Sequence, residues 1–270
     1  MATLACASAA DELPYVEVRG DASLPTLLVI PGGGGSSLRT VEELERLETH
    51  FRVVHYDPCG VGKSDCPRRD TWQEMIDDVV AVAQVHHPRY LLGHSSGCLV
   101  ANHVARAMPI DGALCVGPVF DFALTEASVD ACLKDKLATT QYVVDRIPWI
   151  VRTALRFSLC GTTCGQRRPA ATALLTCDNF VNREGVLYSW QVAAQRWRVR
   201  HDYTRQRLPE TFAMPVRIVV GADDRITAPE DVVAHAPPGV PVRVVPDASH
   251  ALPWEAPDVV LEEALVMRHA

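Results

Sequence analysis

The segment Leu91-Leu92-Gly93-His94-Ser95-Ser96-Gly97-Cys98-Leu99-Val100 places a serine between two glycines, with apolar runs on either side. The leucines before it have the character of a buried strand, and the residues after Gly97 have the apolar spacing of a helix. Ser95 therefore falls on a strand-to-helix turn. A sharp turn of this kind leaves no room for side chains at 93 and 97, which glycine satisfies. The helix that follows directs its free N–H groups and positive dipole end toward the hydroxyl. These are the surroundings of a nucleophile, whereas a plain Gly/Ser turn needs none of them.

A serine hydroxyl attacks a carbonyl only with a base to take its proton and an acid to orient that base. Two later strand-like runs end in suitable groups: VRIVVG (216–221) leads into Ala222-Asp223-Asp224-Arg225, and VRVVP (242–246) leads into Asp247-Ala248-Ser249-His250. The chain order serine, aspartate, histidine is the one expected of such a sheet. Asp121, just after the run GALCVGPV (112–119), is a further candidate acid. A tetrahedral intermediate also needs two N–H donors. The backbone of Ser96 supplies one, and the glycine-rich stretch PGGGGSS (31–37) offers the other, because its backbone can approach a ligand closely.

The elements that must position these groups follow from hydrophobic patterning. Short β-branched and leucine-rich runs at 26–30, 52–56, 90–93, 112–119, 216–221 and 242–246 read as strands buried on both faces. Helical patterns separate them at 41–49, 70–86, 96–107 and 257–268, the second opening on Asp70, Thr71 and Glu74 in a capping-box arrangement. The alternation predicts a doubly wound α/β sheet. From about 121 to 212 the rhythm gives way to helical patterns carrying Tyr142, Trp149, Tyr188, Trp190 and Trp197, which reads as a cap over the carboxyl edge of the sheet. Residues 150–210 hold ten arginines against four acidic residues, so this insert is basic within a chain of net charge −7.

Taken together, these residues resemble the α/β-hydrolase superfamily over nearly all of the chain outside the first twelve residues and the insert. The resemblance implies a mostly parallel sheet flanked by helices, with a helical cap inserted between strands. The division expected is a flexible tail (1–12), a core (13–120 and 213–270) and a cap (121–212). The family pattern points to Asp224 as the acid, with Asp223 and Asp121 as alternatives. His250 matches the family's base in a segment where Ser249 replaces the usual glycine, and His94 is expected to shape the turn. Gly33, with Gly34 next, is expected to complete the oxyanion hole with Ser96. Pro31 stands where the family often has a histidine, which leaves the placement of that donor open.

The stretch YDPCGVGKSD (56–65) ends like a phosphate-binding loop, but Asp57 stands where that loop needs its first glycine. It resembles the family's D-x-x-G-x-G-x-S segment instead, a structural role. The function implied is a serine hydrolase for small or medium ester-like acyl substrates, acting through an acyl-enzyme. A proline iminopeptidase-like aminopeptidase, a carbon–carbon bond hydrolase and a non-catalytic binding protein are the other readings. No cofactor or metal is expected, and Cys160-Gly-Thr-Thr-Cys164 lacks a second ligand pair. The partner expected is a small-molecule substrate, without nucleic acid or membrane, and the oligomeric state is unassigned. Without a basic leader at 1–12 or an apolar run of the ~20 residues that span a bilayer, a cytoplasmic location is the default expectation, and nine scattered cysteines without an export signal predict mainly reduced, buried thiols.

Overall fold

The structure, a computed structural model, describes residues 13–33, 42–140, 145–146, 159–160, 191–192, 194–195, 198–199, 201–202, 205–208 and 210–269. Each apolar run named above becomes a strand. In chain order they are β2 (Thr26–Ile30), β3 (Arg52–Asp57), β4 (Tyr90–His94), β5 (Gly112–Val116), β6 (Val216–Gly221) and β7 (Val242–Val245). An additional strand, β1 (Tyr15–Arg19), precedes them. The sheet order is β1-β3-β2-β4-β5-β6-β7, with β1 antiparallel to β3 and all other pairs parallel.

Both faces of the sheet are covered, which explains why these strands lack polar alternation. Leu28, Ile30, Val54, Leu91, Cys115 and Ile218 face helices α1 (Trp72–His86) and α2 (Gly97–Ala107) through Ile76, Val79, Cys98 and Val104. The intervening strand residues Leu27, Val29, Val53, Leu92, Leu114 and Val219 face the opposite way. There they meet Leu47 and Phe51, and Val260, Ala264 and Met267 of the C-terminal helix α6 (Pro257–His269). The expected helix at 41–49 is a 3-10 helix over Glu42–Thr49.

Helix α1 begins as its sequence demands. The Glu74 N–H donates to Thr71 Oγ1 at 3.2 Å while Glu74 Oε2 accepts from the Thr71 N–H at 2.9 Å, a complete capping box. After β5, Asp121 caps α3 (Phe122–Lys136), and β6 then returns beside β5 in parallel register. Two short helices, α4 (Pro229–His235) and α5 (Leu252–Glu255), follow β6 and β7. The aromatic residues expected in the insert, Tyr142, Trp149, Tyr188, Trp190 and Trp197, lie outside the described residues, as does the tail at 1–12.

Cys59 is bonded to Cys66, and Cys132 on α3 to Cys160, while Cys98 and Cys115 are free and buried. Disulfides belong to oxidising surroundings. The expectation of mainly reduced thiols is thus corrected for these four residues. Cys160 is committed to Cys132 and is not a metal ligand. No helix among the described residues is long and apolar enough to cross a membrane.

Two glycines decide whether β4 and α2 can meet in a tight turn. A Cβ at Gly97 would lie 2.2 Å from the Ile30 carbonyl oxygen, and one at Gly93 would lie 2.8 Å from Cys98 backbone atoms. Gly97→Ala is therefore expected to destabilise the protein by about 2 to 3 kcal/mol, because backbone and not a flexible side chain must give way. Urea unfolding measures this, and an unchanged midpoint would show that the turn adapts without strain.

Candidate active site

The carboxyl ends of β2, β4, β6 and β7 deliver Gly32 and Gly33, Ser95, Asp224 and His250 to one edge of the sheet. Ser95 has φ 55°, in the left-handed region that non-glycine residues seldom occupy. Its N–H donates to the Val116 carbonyl at the end of β5 at 2.8 Å, and its own carbonyl accepts from the Cys98 N–H at 3.2 Å. These bonds hold the turn in its strained form. Gly32 presses over the serine so closely that a Cβ there would lie 2.6 Å from Ser95 Cβ and 3.3 Å from Ser95 Oγ. The glycine loop and the serine thus share one small volume.

His250 and Asp224 form a buried pair. His250 Nδ1 lies 2.8 Å from Asp224 Oδ2, and both residues are 2% exposed. The carboxylate is fixed on its other side, where Oδ1 accepts the N–H groups of Ile226 at 2.8 Å and Thr227 at 2.7 Å. Thr227 Oγ1 donates to Asp224 Oδ2 at 2.7 Å and sits 3.3 Å from His250 Nδ1. An ionised carboxylate with this many donors is a rigid acceptor for the Nδ1–H of a neutral imidazole. That assignment leaves Nε2 as the basic nitrogen. Among the described residues, Ser95 Oγ and His250 Nε2 are not hydrogen-bonded to each other, as is common where such contacts tighten only around substrate.

Gly117 completes the packing. It has φ 52°, and a Cβ there would lie 3.2 Å from His250 Nδ1 and 3.3 Å from Asp224 Oδ2. The backbone at the end of β5 therefore touches both the imidazole and, through Val116, the serine turn.

The alternatives separate clearly. Asp121 caps α3 by accepting the Ala123 N–H at 2.6 Å and pairs with Arg207 at 2.6 Å. Asp223 donates its N–H to the Ala248 carbonyl, while the neighbouring Asp224 carries the carboxylate that meets His250. The departure at Ser249 is also accounted for: its N–H and Oγ both donate to Glu255 Oε2, at 2.7 and 2.8 Å, bracing the histidine loop against α5. Thr227, Gly117 and Glu255 escaped sequence reasoning. The Asp224-x-x-Thr227 spacing, typical of a side chain capping the backbone two and three residues on, was the available signal for the first.

His94 ties the serine turn to the His250 loop. Its Nε2–H donates to the His250 carbonyl at 2.9 Å, and its ring lies 5.0 Å from that of His250. Burial, reinforced by the neighbouring imidazole of His250, lowers its pKa from 6.5 to about 3. The unfolded chain therefore binds a proton here that the folded chain refuses. The contribution is complete above about pH 6.5 and is lost as pH falls toward 3. Thermal stability should fall across that window, and His94→Gln should flatten the slope. An identical slope in the variant would mean that other groups cause it.

The two expected oxyanion donors differ. The Ser96 N–H, just ahead of the first turn of α2, is bonded to no described group. The Gly33 N–H is already committed, donating to Ser96 Oγ at 2.8 Å. Gly34 lies outside the described residues. Ser96 and Pro31 also form part of the wall of a small cavity bounded by Tyr56, Trp72, Arg69 and Gln195.

The 56–65 segment has no phosphate cradle. Asp57 Oδ2 accepts the Lys63 N–H at 2.8 Å and fills the space over Gly62, while Ser64 Oγ donates to the Asp57 carbonyl. Of the insert's arginines, Arg198 pairs with Asp70 and Arg207 with Asp121.

The chain matches the Alpha/beta hydrolase family over residues 27–263. It belongs to that family. A stretch of 101 residues is 34% identical to the "Putative carbamate hydrolase RutD" of Agrobacterium fabrum (strain C58 / ATCC 33970), covering 35% of this chain and 39% of that relative. A proline iminopeptidase-related protein from Thermus thermophilus superposes with a TM-score of 0.61 at 24% identity, covering 94% of this chain and 93% of the other. A thermophilic esterase from Thermogutta terrifontis superposes with a TM-score of 0.62 at 21% identity, covering 94% and 92%. At these identities the two structures share the fold of this family member.

Proposed function

We propose that this protein is a serine hydrolase that cleaves a small or medium ester-like acyl substrate through Ser95, His250 and Asp224. The observation that carries the reading is the buried 2.8 Å contact between His250 and Asp224 at the same sheet edge as the strained Ser95 turn. A buried histidine and carboxylate so tightly paired need a reason beyond packing, and an adjacent hydroxyl on a nucleophile turn supplies one.

In this reading His250 Nε2 takes the Ser95 proton as Oγ attacks the substrate carbonyl. Asp224 stabilises the imidazolium, and the oxyanion forms against the Ser96 N–H. The imidazolium then protonates the leaving group. Water, activated by the same imidazole, releases the acid and restores the serine. The insert at 121–212 serves as a cap that selects the substrate.

The relative named for carbamate hydrolysis adds carbamates to the acyl classes worth trying, since the same steps cleave them. Kinetics on p-nitrophenyl esters of rising chain length, with a p-nitrophenyl carbamate and proline naphthylamide alongside, tests the reading. Saturable turnover of the shorter esters is expected. Turnover of proline naphthylamide alone would transfer the site to aminopeptidase chemistry, and no turnover of any substrate would favour a binding protein.

A further inference from the structure

We propose that the side-chain hydroxyl of Ser96, polarised by the Gly33 N–H, is itself a donor to the oxyanion. This rests on the reading of Ser95 as the nucleophile. The expected second donor, Gly33, gives its N–H to Ser96 Oγ at 2.8 Å. To serve the oxyanion directly it would have to break that bond and leave a buried hydroxyl oxygen behind, since Ser96 is 1% exposed. Acting through the hydroxyl needs no rearrangement.

The hydroxyl is equipped for this. A serine oxygen accepts on its lone pairs and donates one hydrogen, and among the described residues Ser96 Oγ has only the Gly33 N–H as partner. Its own hydrogen has no acceptor among the described residues. An N–H donated to the oxygen draws electron density from the O–H bond and strengthens what that bond can donate. Ser96 also lines, with Pro31, a small cavity in the protein.

The backbone of the glycine loop sets up the arrangement. Gly33 adopts φ 63°, a conformation glycine tolerates, and its N–H meets Ser96 Oγ, while Gly32 lies against Ser95. Pro31 has no N–H and no polar side chain with which to brace the loop. Ser96 takes over that bracing, so residue 96 presents two donors, one from backbone and one from side chain. No proton changes owner: both groups only donate hydrogen bonds to the negative oxygen as it forms on the substrate carbonyl.

Ser96→Ala is expected to lower kcat by on the order of 10²-fold, the loss typical of one oxyanion donor. KM should change little, because the bond strengthens in the transition state. Affinity for an arylboronic acid, whose tetrahedral oxygen occupies the same place, should fall in parallel. Ser96→Thr, which keeps the hydroxyl, should restore most of both, whereas Ser96→Ala, which takes the acceptor from the Gly33 N–H, should also lower the unfolding midpoint modestly.

A crystal structure of the parent protein with a fluorophosphonate bound to Ser95 provides the second measurement, decisive even if Ser96→Ala does not fold. Ser96 Oγ should lie within hydrogen-bond distance of the phosphonyl oxygen. The proposal is overturned if Ser96→Ala keeps kcat within about twofold, well short of a donor's usual worth. It is also overturned if the adduct shows Gly33 bonded directly to that oxygen with Ser96 Oγ turned away. Absence of any adduct at Ser95 would remove the nucleophile itself and this proposal with it. An adduct at Ser95 with an indifferent Ser96 would overturn this proposal alone.

Discussion

Ser95→Ala should reduce kcat for an activated ester by on the order of 10⁶-fold, the scale of loss when the serine of a triad is removed. The methyl group preserves the Ser95 N–H bond to Val116 and the burial of the turn, so folding should survive. What disappears is the side-chain oxygen beneath Gly32, the group that His250 would deprotonate. Residual activity near the parent level, in a sample free of parent protein, would show that another group does the chemistry.

Asp224→Asn should cost on the order of 10⁴-fold in kcat, for a reason visible in the bonds around the carboxylate. Oδ1 receives two backbone N–H groups, from Ile226 and Thr227, so an asparagine must place its carbonyl oxygen there. Its amide nitrogen then occupies the Oδ2 position, 2.8 Å from His250 Nδ1, and can only donate. The imidazole is driven into the tautomer with hydrogen on Nε2, which cannot accept the serine proton. Asp223→Asn should leave kcat near the parent value, and Asp121→Asn should affect the start of α3 more than turnover. If Asp223→Asn instead carried the large loss, the acid would have been misassigned by one residue.

The parallel strands were legible because burial on both faces leaves an uninterrupted apolar run, as in TLLVI and VRIVVG. The edge strand Tyr15–Arg19 carries no such run, since its five residues are all half-buried and include Glu17 and Arg19. Helix α1 announced itself through Thr71 and Glu74, whereas four-residue α5 is too short to show a period. Ser95, Asp224 and His250 were legible because each follows a strand that ends at one sheet edge.

The supporting groups were harder to read. Thr227, Gly117 and Glu255 act through contacts that depend on how the loops after β5, β6 and β7 fold against one another. The disulfides are not legible in the sequence, because Cys132 and Cys160 are 28 residues apart, and Cys59 and Cys66 meet only through a loop folded back on Asp57. Gly33 was expected to face the oxyanion directly. Nothing in the residue string reveals that the hydroxyl next to the nucleophile would intercept its N–H.

The most direct test is covalent labelling of the intact protein with a fluorophosphonate, followed by mass spectrometry of the peptides. One phosphonyl group per chain should be found on Ser95, with labelling abolished in Ser95→Ala and strongly slowed in His250→Ala. A protein that hydrolyses esters yet carries no label at Ser95, or labels equally well without His250, would contradict the Ser95–His250–Asp224 mechanism.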